Sequence, residues 1–395
     1  MKVRRILRAC LKIPWGAVFE QSAEWRGAMR ENTLHGSSTE EQRSQSALCS
    51  KTLRAAALLA VRGVGSVVIA RCGDTPPSPP CPQPKSLAAA PRAIFRQALK
   101  RLLLVVLAVI VLVGVSVASL WLYLHPHCER IDGIVYGQQQ TQSLSMDILR
   151  PGHTNGLGVV VMVSGGWKSA TAGAFPVWAA APLLRHGYTV FAVYHVSQPE
   201  ATVTEIVAEV NRAVRFIRYH AHDYGIDPQR LGVTGGSAGG HLSLMLATRG
   251  GSGATEAADP VDRESSAVQA VAIFFPVTDL LNLGASTENA GNGGPPKDFV
   301  QAFGSQSTNL AIWKVTGHEL SPIYYIHSNL PPILIIHGDA DTLVPLDQSQ
   351  RFQAAAQKQG CEVKLIVRQG AGHGWWSMFW DVRQFANWFD QHLRQ

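Results

Sequence analysis

The run Leu231-Gly-Val-Thr-Gly-Gly-Ser-Ala-Gly239 decides the architecture of this chain. Its first four residues read as a short strand, and His241-Leu-Ser-Leu-Met-Leu-Ala-Thr248 behind it reads as a helix. A serine with glycines two residues to either side suits the turn between them for a steric reason. The bend is too tight for neighbouring side chains, so the serine is presented with its hydroxyl exposed. The following amide, that of Ala238, lies at a helix N-terminus, where it can face negative charge developing on a reacting group. Ser237 is the candidate nucleophile.

Working outward, residues 159–163, 189–194, 268–275 and 333–337 are further β-branched runs, and 362–367 is a last strand. Residues 133–136 and 144–148 form an antiparallel pair around QQQTQS. Between several strands lie helical periods, most clearly at 203–219, where Val203, Ile206, Val207, Val210, Val214 and Ile217 mark one face. This alternation predicts an α/β fold: a mostly parallel central sheet with helices on both faces. Such sheets bind ligands at the carboxyl ends of their strands. Two of those ends carry complementary chemistry, Gly338-Asp-Ala-Asp-Thr-Leu-Val-Pro345 and Gly370-Ala-Gly-His-Gly374. His373 is the candidate general base, and Asp339 and Asp341 compete for the carboxylate that would orient it.

The net charge of +7 is unevenly placed. Residues 1–101 hold 17 Lys/Arg against 6 Asp/Glu, so the remainder is net acidic. A basic leader before an apolar run is a topological signal, and no base-reading motif accompanies it, so nucleic acid is not an expected partner. The apolar run, LLLVVLAVIVLVGVSVASLWLYL at 102–124, has no charge and no polar face. At ~1.5 Å per residue it spans about 34 Å, enough for the hydrocarbon core of a bilayer. The expected organisation is a mostly disordered cytoplasmic leader (1–101), one transmembrane helix (102–124) and an extracytoplasmic body (125–395). Release of the body by signal cleavage after Val117-Ala-Ser119 is the alternative. An apolar patch at 55–70, broken by Arg62, Gly63 and Gly65, is a weaker second membrane candidate. No Cys/His spacing suggests a metal, and no cofactor is implied; Cys128 and Cys361 are the body's two cysteines.

GGSAGGH, HGDADTLVP and GAGHGW together make residues 134–393 resemble the α/β-hydrolases grouped with bacterial feruloyl and acetyl-xylan esterases and with prolyl-oligopeptidase catalytic domains. The resemblance implies a Ser237, Asp341, His373 triad, with Asp341 chosen because the family's acid stands four residues after the loop histidine; Asp339 then stabilises its loop. Where relatives carry HGGGW, this chain has Val163-Ser-Gly-Gly-Trp167, which implies oxyanion donors among Gly165, Gly166 and Trp167 beside Ala238. A stretch at 276–321 rich in Gly, Asn and Pro reads as a short cap, and Trp167, Trp375 and Trp376 as pocket walls. His241 reads as a structural partner of the first helical turn, while Tyr194 and His195 border the site or close a loop. The implied activity is hydrolysis of a small-molecule or carbohydrate-linked carboxylic ester. A serine peptidase is the second reading, weakened because only a short connection, with no room for a propeller, precedes the first strand. A non-catalytic binding module on the same fold is the third.

Overall fold

The computed structural model describes residues 90–394; the expectations for residues 1–89 of the leader, the patch at 55–70 included, lie outside the described residues, while residues 90–101 are helical where the sequence predicts a mostly disordered leader. Helix α1 (Ala90–Leu124) begins upstream of the predicted start and carries an apolar span, Ile94–Leu124, long enough to cross a membrane, with none of that span buried against protein. Its last carbonyls are met by two side chains: His125 Nδ1 donates to Trp121 O at 2.9 Å and Arg185 Nε to Tyr123 O at 2.7 Å. The same guanidinium lies over the Tyr123 ring, a favourable place for a cation at a helix C-terminus.

The body is one eight-stranded sheet in the order β1-β2-β4-β3-β5-β6-β7-β8. The strands are β1 (Cys128–Gln139), β2 (Gln142–Pro151), β3 (Gly158–Met162), β4 (Thr189–Val193), β5 (Leu231–Gly236), β6 (Ala270–Phe274), β7 (Ile333–Gly338) and β8 (Val363–Arg368). β1 and β2 are antiparallel, and β2 meets β4 antiparallel; from β4 through β8 every pairing is parallel. The helices of the body are α2 (Val177–Arg185), α3 (Val203–Tyr219), α4 (Ala221–Tyr224), α5 (Ala238–Arg249), α6 (Leu310–Glu319), α7 (Asp347–Lys358) and α8 (Met378–Leu393).

The alternation of each strand sorts its side chains into two cores. Val160, Val233, Val271, Ile273 and Ile335 face α3, α5 and α7, while Val159, Val190, Ala272 and Ile336 face α2 and α8. Helix α3 starts where the sequence places it because Thr202 and Glu205 form a reciprocal capping box. Cys128 and Cys361 are both unpaired; Cys361 Sγ instead lies 3.2 Å from His327 O.

Candidate active site

Strand β5 ends at Gly236 and α5 starts at Ala238, so Ser237 alone makes the turn, at φ 55° and ψ −120°. A non-glycine residue there is strained by about 1–3 kcal/mol and persists only because its surroundings fix it. Ser237 N donates to Phe274 O at 3.1 Å, which ties the turn to the end of β6. The flanking glycine is required by closeness: a Cβ on Gly239 would stand 2.5 Å from Met162 O on β3.

His373 follows β8 and Asp341 follows β7, so parallel pairing brings both to the edge of the sheet where Ser237 sits. His373 Nε2 is 2.9 Å from Ser237 Oγ, and His373 Nδ1 is 2.8 Å from Asp341 Oδ2. The carboxylate can only accept, so Nδ1 carries the proton and Nε2 is free to accept from the serine. Asp341 is buried and also accepts from the amides of Leu343 and Val344. Burial opposes its charge, but His337, whose Nε2 lies 3.4 Å from Oδ2, the hydrogen bond from His373 and that from the Val344 amide win and hold its carboxyl down at about 2. His337 is placed by its own ring: Nε2 donates to Val344 O at 2.8 Å and Nδ1 accepts from Ser349 Oγ at 2.7 Å. Asp339 accepts from Gly370 N at 2.6 Å, bracing the loop that carries His373 from its exposed side without reaching the imidazole.

The Gly165-Gly166-Trp167-Lys168 segment is a two-residue hairpin, closed by Gly165 N to Lys168 O (2.9 Å) and Lys168 N to Gly165 O (3.0 Å). Gly166 and Trp167 both have positive φ, 55° and 56°, as a type I′ turn demands. This narrows the donor set expected from sequence. The Gly165 amide is spent on Lys168, whereas the amides of Ala238, Gly166 and Trp167 have no protein acceptor among the described residues. A tryptophan at positive φ is costly, and its side chain offsets the strain. The Trp167 indole is buried, donates to His241 Nδ1 at 3.2 Å, and packs edge-on against Phe299 and Phe303.

Trp167 is therefore a pillar of the core and not the open pocket wall expected from sequence, a correction. Trp376 is likewise no wall: it is 82% exposed. Trp375 is half-buried, with Nε1 donating to Asp381 Oδ2 at 2.8 Å. The aromatic surface beside the imidazole comes from Phe275, whose ring centroid is 4.4 Å from that of His373. Sequence reading missed it, because nothing in a hydrophobic strand end marks which ring will face a residue nearly a hundred positions away.

The 276–321 insertion holds a 3₁₀ turn and α6, with Trp313 fully buried against Phe303. His241 fastens it: Nε2 donates to Leu320 O at 2.7 Å, and burial pushes the imidazole down to about 4. It is a neutral strut between Trp167 and the insertion. A cavity of about 460 Å³ is lined by Ser143, Ser145, Ser169, Thr171, His195 and Glu200 among others, and by none of Ser237, Asp341 or His373. Among the described residues no group of three His, Cys, Asp or Glu side chains is placed to hold a metal.

A parallel sheet in this strand order, with a strained serine between β5 and its helix, defines an α/β-hydrolase. The BD-FAE family model matches residues 146–356, more than half of the chain, and the chain belongs to that family. It is 33% identical over 177 residues to esterase LipQ of Mycobacterium tuberculosis, covering 44% of this chain and 39% of LipQ. It is 25% identical over 244 residues to the isoprenylcysteine α-carbonyl methylesterase ICME of Arabidopsis thaliana, covering 61% of this chain and 55% of that protein. The chain thus spans about two fifths to just over half the length of these relatives. Among solved structures, a truncated carbohydrate esterase from gut microbiota superposes with a TM-score of 0.54 at 26% identity, over 67% of this chain and 96% of that one.

Proposed function

We propose that this protein hydrolyses carboxylic esters through an acyl-enzyme on Ser237. The observation that carries the reading is the unbroken relay from Ser237 Oγ through His373 to Asp341, at 2.9 and 2.8 Å. Ser237 Oγ attacks the ester carbonyl while its proton passes to His373 Nε2, and Asp341 supports the imidazolium. The oxyanion is received by the Ala238 amide and by Gly166 and Trp167 of the hairpin. Collapse expels the alcohol with the proton returned from His373. Water then attacks the acyl-serine through the same base and releases the acid.

The esterase names of LipQ and ICME support this reading over amide cleavage. Full-length protein assayed against p-nitrophenyl acetate and butyrate, acetylated xylan, feruloyl esters and prolyl anilides is expected to favour the short esters. Activity should decline as the acyl chain lengthens, where each methylene in a pocket is worth ~1–3 kcal/mol. Anilide turnover with kcat/KM equal to that of acetyl esters would transfer the assignment to a peptidase.

The same proposal places α1 across a membrane once, N-terminus in the cytoplasm, because Arg96, Lys100 and Arg101 precede the uncharged span. Alkaline carbonate is expected to leave the protein in the membrane pellet. A reporter active only outside the cytoplasm, fused after Gln395, should be active; an inactive fusion contradicts the orientation, and a soluble body contradicts the anchor.

A further inference from the structure

The HGGGW pattern is broken at Val163 and Ser164, and the structure supplies a second group beside Ser164. His195, two residues beyond the end of β4, is buried with Nδ1 2.7 Å from Val196 O and Nε2 2.8 Å from Ser164 Oγ. A carbonyl only accepts, so Nδ1 holds the ring proton and Nε2 takes the Ser164 hydroxyl hydrogen. That assignment needs a neutral ring, and burial pushes the imidazole down to about 4. The ring is fixed in turn from α3, where the buried Glu209 accepts the Val196 amide through Oε2 at 2.9 Å.

Ser164 joins the two halves of the oxyanion site. Its carbonyl accepts from Gly239 N at 3.2 Å, two residues past the nucleophile, and its chain continues directly into the 165–168 hairpin. An unbroken path of hydrogen bonds therefore runs Glu209, Val196, His195, Ser164, Gly239. We infer that His195 is a positioning residue, which through Ser164 holds the hairpin amides in register with the Ala238 amide. The inference rests on the ester-hydrolase reading. His195 touches neither the nucleophile nor its base, so it acts by geometry: the donors must lie within 2.7–3.1 Å of an oxyanion, and a small displacement costs rate without costing ground-state binding.

The test is a double-mutant cycle on the full-length chain in detergent, with Ser164→Ala, His195→Phe and the pair. It reads kcat and KM for p-nitrophenyl acetate and the rate of fluorophosphonate labelling of Ser237. Each single change is expected to lower kcat and the labelling rate by on the order of 10-fold or more, short of the loss from deleting an oxyanion donor outright, with KM nearly constant. The double variant should be no worse than the worse single, because both break one path. His195→Gln, which restores an acceptor for the Ser164 hydroxyl, should recover much of the rate. Multiplying losses, a change in KM alone, or a glutamine variant as slow as phenylalanine would overturn the inference. If His195→Phe does not fold, Ser164→Ala labelling at the wild-type rate overturns it. Wild-type protein that fails to label sinks the Ser237 reading and this inference together, whereas variants labelling as fast as a reactive wild type sink this inference alone.

Discussion

Replacing Ser237 with alanine is expected to lower kcat by on the order of 10⁴ or more and to abolish labelling by a fluorophosphonate probe. The size of the effect follows from how little else at the site can act as a nucleophile. Ser164, two residues beyond β3, gives its hydrogen to His195, whose Nδ1 faces the Val196 carbonyl and not a carboxylate. A residual rate above water should survive in the variant, since the amides of Ala238, Gly166 and Trp167 still polarise a bound carbonyl. Labelling is the sharper readout because it needs an attacking oxygen and leaves a covalent mark. Equal labelling of wild type and Ser237→Ala would remove the proposed mechanism.

The sheet and the relay were legible in the sequence, and the oxyanion side was not, for a physical reason that particular residues make plain. Ser237, Asp341 and His373 each sit within five residues of the end of a strand, where parallel pairing leaves the chain almost no freedom about which edge it reaches. A motif at a strand end therefore carries its own address. The Gly165–Lys168 hairpin has no such constraint. Whether Gly165 or Gly166 offers a free amide depends on turn type, and the turn type depends on a tryptophan accepting positive φ. That acceptance depends on His241, Phe299 and Phe303, which lie 74 to 136 positions further along the chain. The aromatic readings failed in the same way: a tryptophan near a catalytic motif looks the same in sequence whether it is buried at 3%, like Trp167, or exposed at 82%, like Trp376. His195 showed only as a polar residue at a strand end, because its partner Ser164 follows a different strand.

Changing Asp341 to asparagine is expected to lower kcat by on the order of 10⁴, while the same change at Asp339 leaves kcat within a few-fold. The two carboxylates are separated by a single alanine, so the contrast tests geometry and not local charge. An asparagine at 341 can offer its amide NH₂ to His373 Nδ1, which favours the tautomer with Nε2 protonated and unable to accept from Ser237. At 339 the side-chain oxygen can still accept from Gly370 N, so the histidine loop keeps its brace. The depressed carboxyl of Asp341 adds a pH signature. Its folded value, about 2, lies below that of an unfolded carboxylate, so its contribution to stability is present at neutral pH and is lost as pH falls from about 4 toward 2. Asparagine at 341 should flatten that part of the acid unfolding curve, read by circular dichroism. A crippled Asp339→Asn beside an active Asp341→Asn would reassign the acid, and an acid limb unchanged by Asp341→Asn would show that its carboxylate is not held as the hydrogen bonds from His373, Leu343 and Val344 require.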